Sequence, residues 1–266
     1  MTTEGTCQVE DAELHVRRGG DGPPLLFVPG GIGSAGSLKS LASRLSSAYT
    51  VLVYDRRGHS RSTDRSAGSI TVERQADDAR AVIEHFGFGK ALVFGTSAGA
   101  QIGLALAARH AEAVAGLVSH EPPAVRLLPD AQEWLDFADE QVALTREGKV
   151  FEAFKEFVAS IAGAGLPDAK AVRLPNETEW QRLFCRELAE IYRYLPDVET
   201  LRRGGVPIVL AAGQGSRGYY HYRPARALAL ELGLPFVEMP GAHLAPQRSS
   251  AEFAAALTEI LGELLT

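Results

Sequence analysis

Only two cysteines occur among the 266 residues, Cys7 and Cys185, and neither stands at metal-ligand spacing or beside a redox partner. A disulfide framework, a cysteine-ligated zinc or iron site and a dithiol motif all lack material, so reduced thiols and no metal are expected. Positive charge is also in deficit, with 27 Lys and Arg against 33 Asp and Glu for a formal net charge of −6. That balance offers no basic surface for a phosphate backbone, and nucleic acid is not expected as a partner. Long hydrophobic runs are missing too: nowhere do 18 uninterrupted apolar residues occur, and Met1–Gln8 has neither a basic start nor an apolar run. Membrane association is not expected, and a cytoplasmic location is. What remains, 45% hydrophobic and 23% charged residues, is the composition of an ordinary globular chain with one sizeable core.

Apolar strand-like runs alternate with helical periodicity over most of the length, the pattern of a mostly parallel sheet covered on both faces. After an extended piece around Leu14–Arg18, strands are expected at Pro24–Val28, Tyr49–Asp55, Ala91–Gly95, Val114–His120, Pro207–Ala212 and Pro235–Met239. Helices are expected at Val72–Phe86, Ser97–His110, Tyr222–Leu232 and Ala251–Leu265.

Residues 122–205 interrupt the alternation with three helical stripes and no convincing strand. One stripe holds Trp134, Leu135, Ala138 and Val142, a second Phe151, Phe154, Phe157, Val158 and Ile161, and a third Trp180, Leu183, Phe184, Leu188 and Ile191. Pro122–Pro123, Pro167, Pro175 and Gly204–Gly205 punctuate the segment. Most of these residues are read as each helix's core face. Both tryptophans of the chain nevertheless fall here, which favours a cap over a largely apolar pocket, with Trp134 and Phe154 as its first candidate substrate contacts. The expected organisation is a core of 1–121 and 206–266 with a helical cap of 122–205.

Ala91–Ala100 runs an apolar strand into Gly95–Thr96–Ser97–Ala98–Gly99 and then into an alanine-rich helix. A serine on a sharp strand-to-helix turn needs small residues two positions to either side, and its hydroxyl then stands clear of the sheet beside free amides of the helix start. Ser97 is thereby a candidate nucleophile, the alternative being a turn that merely connects strand and helix. A second glycine pattern, Gly31–Ile32–Gly33–Ser34–Ala35–Gly36, matches a dinucleotide fingerprint, with Asp55 and Arg56–Arg57 at the end of a later strand. Pro29 and Gly30 separate it from its strand, where the fingerprint wants the turn at once, and a nicotinamide-dependent oxidoreductase is the weaker reading.

Four segments together resemble the α/β-hydrolase superfamily across nearly the whole chain: Leu25–Gly31, Tyr54–Ser62, Gly95–Gly99 and Pro240–His243. The resemblance implies an α/β-hydrolase fold with a helical cap and no cofactor. The glycine loop becomes an oxyanion loop, with Gly31 giving one N–H and Ala98 the other. His243, in the loop after the last expected strand, takes the position of the catalytic base. His15, His59, His85 and His110 are read as surface or packing residues.

The chain departs from the commonest family pattern at the acid. The loop after Pro207–Ala212 reads Gly213–Gln214–Gly215–Ser216–Arg217–Gly218 and holds no carboxylate. Glu121, at the carboxyl end of the strand following the nucleophile's helix, is the best candidate, because active-site loops gather on that face. Asp197, or no acid at all, is the alternative. The reading is a serine hydrolase of an ester, thioester or lactone of a moderately apolar small molecule. A lyase, cyclase or cofactor-free peroxidase on the same fold, or a ligand-binding protein that has lost catalysis, remains open. The oligomeric state is not legible.

Overall fold

The computed structural model describes residues 3–161, 176–248 and 251–265. Its strands are β1 (Thr3–Val9), β2 (Ala12–Gly19), β3 (Pro24–Val28), β4 (Thr50–Tyr54), β5 (Ala91–Thr96), β6 (Val114–His120), β7 (Ile208–Gly213) and β8 (Phe236–Met239). They form one sheet in the order β1-β2-β4-β3-β5-β6-β7-β8. The first hairpin is antiparallel and β2 pairs antiparallel with β4, while β4 through β8 are mutually parallel. The expected α/β fold is the observed one. The hairpin partner β1 escapes a sequence reading because most of its residues are exposed and carry no apolar run.

Strands β3 and β5 are apolar along almost their whole length because both faces of the sheet are covered. Leu25 and Phe27 point into one core with Leu41, Leu45, Phe253 and Leu257, from helices α1 (Lys39–Leu45) and α11 (Ala251–Glu263). Leu26 and Val28 point into the other with residues of α2 (Val72–His85), α3 (Ala98–Arg109) and α9 (Tyr222–Leu232). The short α1 lacks the length that makes helical periodicity legible.

Between β6 and β7 lie α4 (Ala131–Arg146), α5 (Val150–Ile161), α6 (Glu177–Arg182), a π-helical stretch Leu183–Leu188, α7 (Ala189–Arg193) and α8 (Val198–Gly204), with no strand among the described residues. The stripe from Trp180 to Ile191 is thus a helix widened in its middle by the π turn. Pro167 and Pro175 lie outside the described residues. Helix α10 (Ala245–Arg248) follows β8. Among the described residues no helix is long and apolar enough to cross a membrane.

Candidate active site

Ser97 occupies the junction of β5 and α3 with φ 56° and ψ −127°. This left-handed backbone is costly for a residue with a Cβ, and such outliers concentrate at functional sites. The surrounding glycines explain why the turn closes. A Cβ on Gly95 would come within 2.3 Å of the Gly99 carbonyl oxygen, and one on Gly99 within 2.0 Å of the Val28 oxygen. A Cβ on Gly30 would meet the Ser97 Cβ at 2.7 Å, so the loop after β3 reaches the serine only as glycine. The Ser97 amide donates to the His120 carbonyl at 2.9 Å, tying the end of β5 to the end of β6.

The residue after His120 is Glu121, fully buried and also left-handed, at φ 51°. Its amide donates to the Ala211 carbonyl of β7 at 2.9 Å. Its carboxylate is held at both ends: Gly213 N–H donates to Oε1 at 2.7 Å, and Oε2 lies 2.6 Å from His243 Nδ1. The loop that lacks an acid therefore contributes a backbone donor to one. Burial opposes ionisation of Glu121, yet the fields of His120, His243 and His221 and the hydrogen bond to His243 hold its pKa far below the ordinary glutamate value. Asp197, the alternative acid, is exposed and caps α8 by accepting from the Thr200 amide at 2.9 Å.

His243 follows the turn Pro240–Gly241–Ala242, where Gly241 has φ 88°. The turn lies against the end of β7: a Cβ on Gly213 would meet the Gly241 oxygen at 2.6 Å, and Gly215 N–H donates to that oxygen at 2.7 Å. A second histidine, His221, lies nearby without being legible as a site residue in the sequence. Its ring centroid is 4.5 Å from that of His243, its Nε2 is 3.5 Å from Glu121 Oε2, and neither ring nitrogen has a hydrogen-bond partner. Burial and the neighbouring His243 push its pKa down to about 3, leaving it neutral at ordinary pH. Among the described residues, Glu121, His221 and His243 are also the group whose donor atoms, all within 4.8 Å of one another, could hold a metal.

Ser97 and His243 face one cavity of about 330 Å³ together with Gly30, Gly31 and Ile32. Gly31 has φ 51° and Ala98 is the first residue of α3, where helix amides lack intrahelical acceptors. The rest of the lining is mostly apolar: Phe154, Phe157, Val158 and Ile161 from α5, Trp180 from α6, and Leu244. Of the two expected contacts, Phe154 lines this cavity. Trp134 does not; it stacks on Tyr220 at 3.9 Å between centroids, and its Nε1 donates to Asp130 at 3.1 Å. Trp180 stands in the place foreseen for it, packed edge-on to Phe154 at 4.7 Å. Its signal in the sequence was the shared aromatic spacing of the second and third stripes.

The glycine loop is no dinucleotide cradle. Asp55, which would have to reach a ribose, is buried and accepts from the Ala35 amide at 2.8 Å and from Arg61 Nε at 3.0 Å.

A family model described as alpha/beta hydrolase fold matches residues 23–164. The chain is 33% identical over 267 residues to an uncharacterized hydrolase of Bacillus subtilis (strain 168), YraK, covering 97% of this chain and 95% of that protein. A 2-(acetamidomethylene)succinate hydrolase of Mesorhizobium japonicum is 28% identical over 242 residues, 86% of this chain and 84% of its own. The crystal structure of an alpha/beta hydrolase from Sphaerobacter thermophilus superposes with TM-score 0.73 at 25% identity, covering 98% of this chain and all of that one. The chain belongs to the alpha/beta hydrolase fold family, and within that family its relatives are hydrolases.

Proposed function

We propose that this hydrolase cleaves an ester, thioester or lactone of an uncharged, moderately apolar small molecule through an acyl-enzyme on Ser97. The observation that carries the reading is the 2.6 Å hydrogen bond from His243 to a carboxylate whose other oxygen is held by Gly213, beside the cavity that Ser97 also faces. In this mechanism Ser97 Oγ attacks the carbonyl carbon while His243 takes its proton, then returns it to the departing alcohol, thiol or ring oxygen. Glu121 keeps the imidazole in the tautomer that leaves Nε2 free and supports its positive charge. Gly31 and Ala98 N–H groups hold the carbonyl oxygen as it becomes negative. Water activated by His243 then opens the acyl-enzyme. No step calls for a cofactor.

The helices of 122–205 act as the cap, with Phe154, Phe157 and Trp180 as the apolar wall. The Mesorhizobium relative acts, by its name, on a succinate, which is a dicarboxylate. Here no arginine or lysine is among the described residues lining the cavity, which favours a neutral substrate. Fluorophosphonate labelling followed by mass spectrometry, with a series of p-nitrophenyl esters of graded acyl length and then lactones, tests the reading. Labelling on Ser97 and ester turnover that vanishes in Ser97→Ala are expected; turnover retained by a folded Ser97→Ala variant excludes the acyl-enzyme. Labelling of Ser97 with no turnover of any ester or lactone moves the chemistry to a lyase or cyclase on the same site.

A further inference from the structure

Four polar side chains are buried together beside the glycine loop that follows β3: Arg56 and His59 after β4, Gln75 of α2, and Glu187 of the π-helical stretch. Glu187 receives Arg56 Nη1 on one carboxylate oxygen at 2.5 Å and the His59 ring on the other. Arg56 Nη1 also donates to Gln75 Oε1, and its other terminal nitrogen, Nη2, donates to the Gly31 carbonyl at 2.5 Å. The guanidinium thus joins a helix of the insertion to the residue offered above as an oxyanion donor.

The loop needs such an anchor. Gly31 is left-handed, and nothing lies within 4 Å of where its Cβ would stand. Hydrogen bonds hold the loop on either side of it: Gly33 N–H to the Gly30 carbonyl at 3.0 Å, Arg56 N–H to the Gly33 carbonyl at 2.8 Å, and the Arg56 side chain to Gly31 itself. Gly33 is glycine for a steric reason: it is left-handed at φ 66°, and a Cβ there would meet both Arg56 Cβ and Nε at 2.9 Å. The insertion grips this region at further points. Glu179 accepts from the Ser60 amide at 2.5 Å, and Arg186 pairs with Asp64 at 2.6 Å.

Stability alone is a poor reason for a buried ion pair, since apolar residues of similar volume commonly serve as well or better. We propose that Arg56, anchored by Glu187, is a positioning residue that fixes the Gly31–Ile32 peptide, and through Gly31 the aim of the preceding N–H that binds the oxyanion, and makes the activity depend on the docked insertion. The inference rests on the acyl-enzyme reading of Ser97. An oxyanion donor acts only when it is already aimed at the position the charged oxygen will occupy, so loosening the loop costs transition-state binding and leaves ground-state binding largely intact.

The test compares Arg56→Lys, Glu187→Gln and the double variant Arg56→Met/Glu187→Met on the best p-nitrophenyl ester. The readouts are kcat, KM, inhibition by phenylboronic acid as a tetrahedral adduct, and melting temperature. Lysine offers one compact ammonium where the guanidinium bridges two sites, so Arg56→Lys is expected to lower kcat about tenfold or more with KM nearly unchanged. Boronate affinity is expected to fall by a similar factor. The double variant, which leaves no lone buried charge, is expected to melt near the wild type yet stay as slow as the single variants. A double variant with wild-type kcat and boronate affinity overturns the proposal, as does kcat recovering in step with melting temperature across the series. If the wild type itself neither turns over esters nor takes the fluorophosphonate, the acyl-enzyme reading has failed; normal Ser97 chemistry in all three variants sinks only the positioning role.

Discussion

Glu121→Gln keeps the size of the side chain but removes the charge that His243 faces at 2.6 Å and turns one of the two acceptor oxygens into an NH2 donor. Losing that charge leaves the imidazole in the wrong tautomer and its protonated form unsupported, so kcat is expected to fall by about 10³–10⁴ with a small change in melting temperature. Asp197→Asn is the matched control. Asparagine caps a helix as well as aspartate does, so both rate and melting should stay at wild-type values. A full rate in Glu121→Gln would remove Glu121 from the mechanism. At the nucleophile turn the glycines differ in kind. Gly99→Ala drives a Cβ to 2.0 Å from a backbone oxygen that cannot yield, and a loss of roughly 4–5 kcal/mol in denaturant unfolding is expected. Gly31→Ala meets open space and bears only its left-handed φ, a penalty of about 1–2 kcal/mol. Equal losses for the two would contradict this account of the turn.

Helices α5 and α6 meet through their aromatic rings. Trp180 lies 4.7 Å from Phe154, 5.9 Å from Phe157 and 5.6 Å from Phe184, all edge-on or tilted, and three of these four rings also line the cavity. Shortening Phe154 to alanine removes apolar wall that only a long acyl chain touches. The ratio of kcat/KM for a long ester over acetate should fall by an amount worth roughly 1–3 kcal/mol. Trp134→Ala gives the contrast, because its ring rests on Tyr220 outside the cavity. It should lower melting temperature and leave the chain-length ratio unchanged. A shift in that ratio for Trp134→Ala but not Phe154→Ala would reverse the assignment of the wall.

Across the whole molecule, two neutral histidines are buried against the site. Burial lowers the pKa of His120 from 6.5 to about 4, and burial with His243 lowers that of His221 to about 3. In the unfolded chain both groups take up protons near pH 6.5, whereas in the folded protein they do not until the pH is much lower. The unfolded state therefore binds more protons between those values. Stability is full above about pH 6.5 and declines as pH falls toward 4. Melting temperature followed from pH 7 to 4 should drop along this limb, and His120→Gln should flatten it. A flat wild-type profile over that range would show that these histidines are protonated in the folded protein.

What the sequence by itself determined was local geometry, set by residues adjacent in the chain. The strand, Gly-x-Ser-x-Gly turn and helix around Ser97 are ten consecutive positions whose geometry follows from local sterics, and His243 is marked by its place after the last strand. Burial of β3 and β5 on both faces is likewise written into continuous apolar runs. Three matters were left to the tertiary structure. Glu121 rather than Asp197 faces His243 because β6, β7 and β8 lie side by side, an order of pairing that no periodicity encodes. Trp180 rather than Trp134 meets the cavity because the rotation of a helix about its axis is set by what it packs on, and both stripes look alike as sequence. Arg56 finds Glu187 across 131 residues, and Gly31 with it. Local patterns specify which faces must be buried, but which distant groups then meet depends on strand order and helix docking, and those are settled only when the whole core packs.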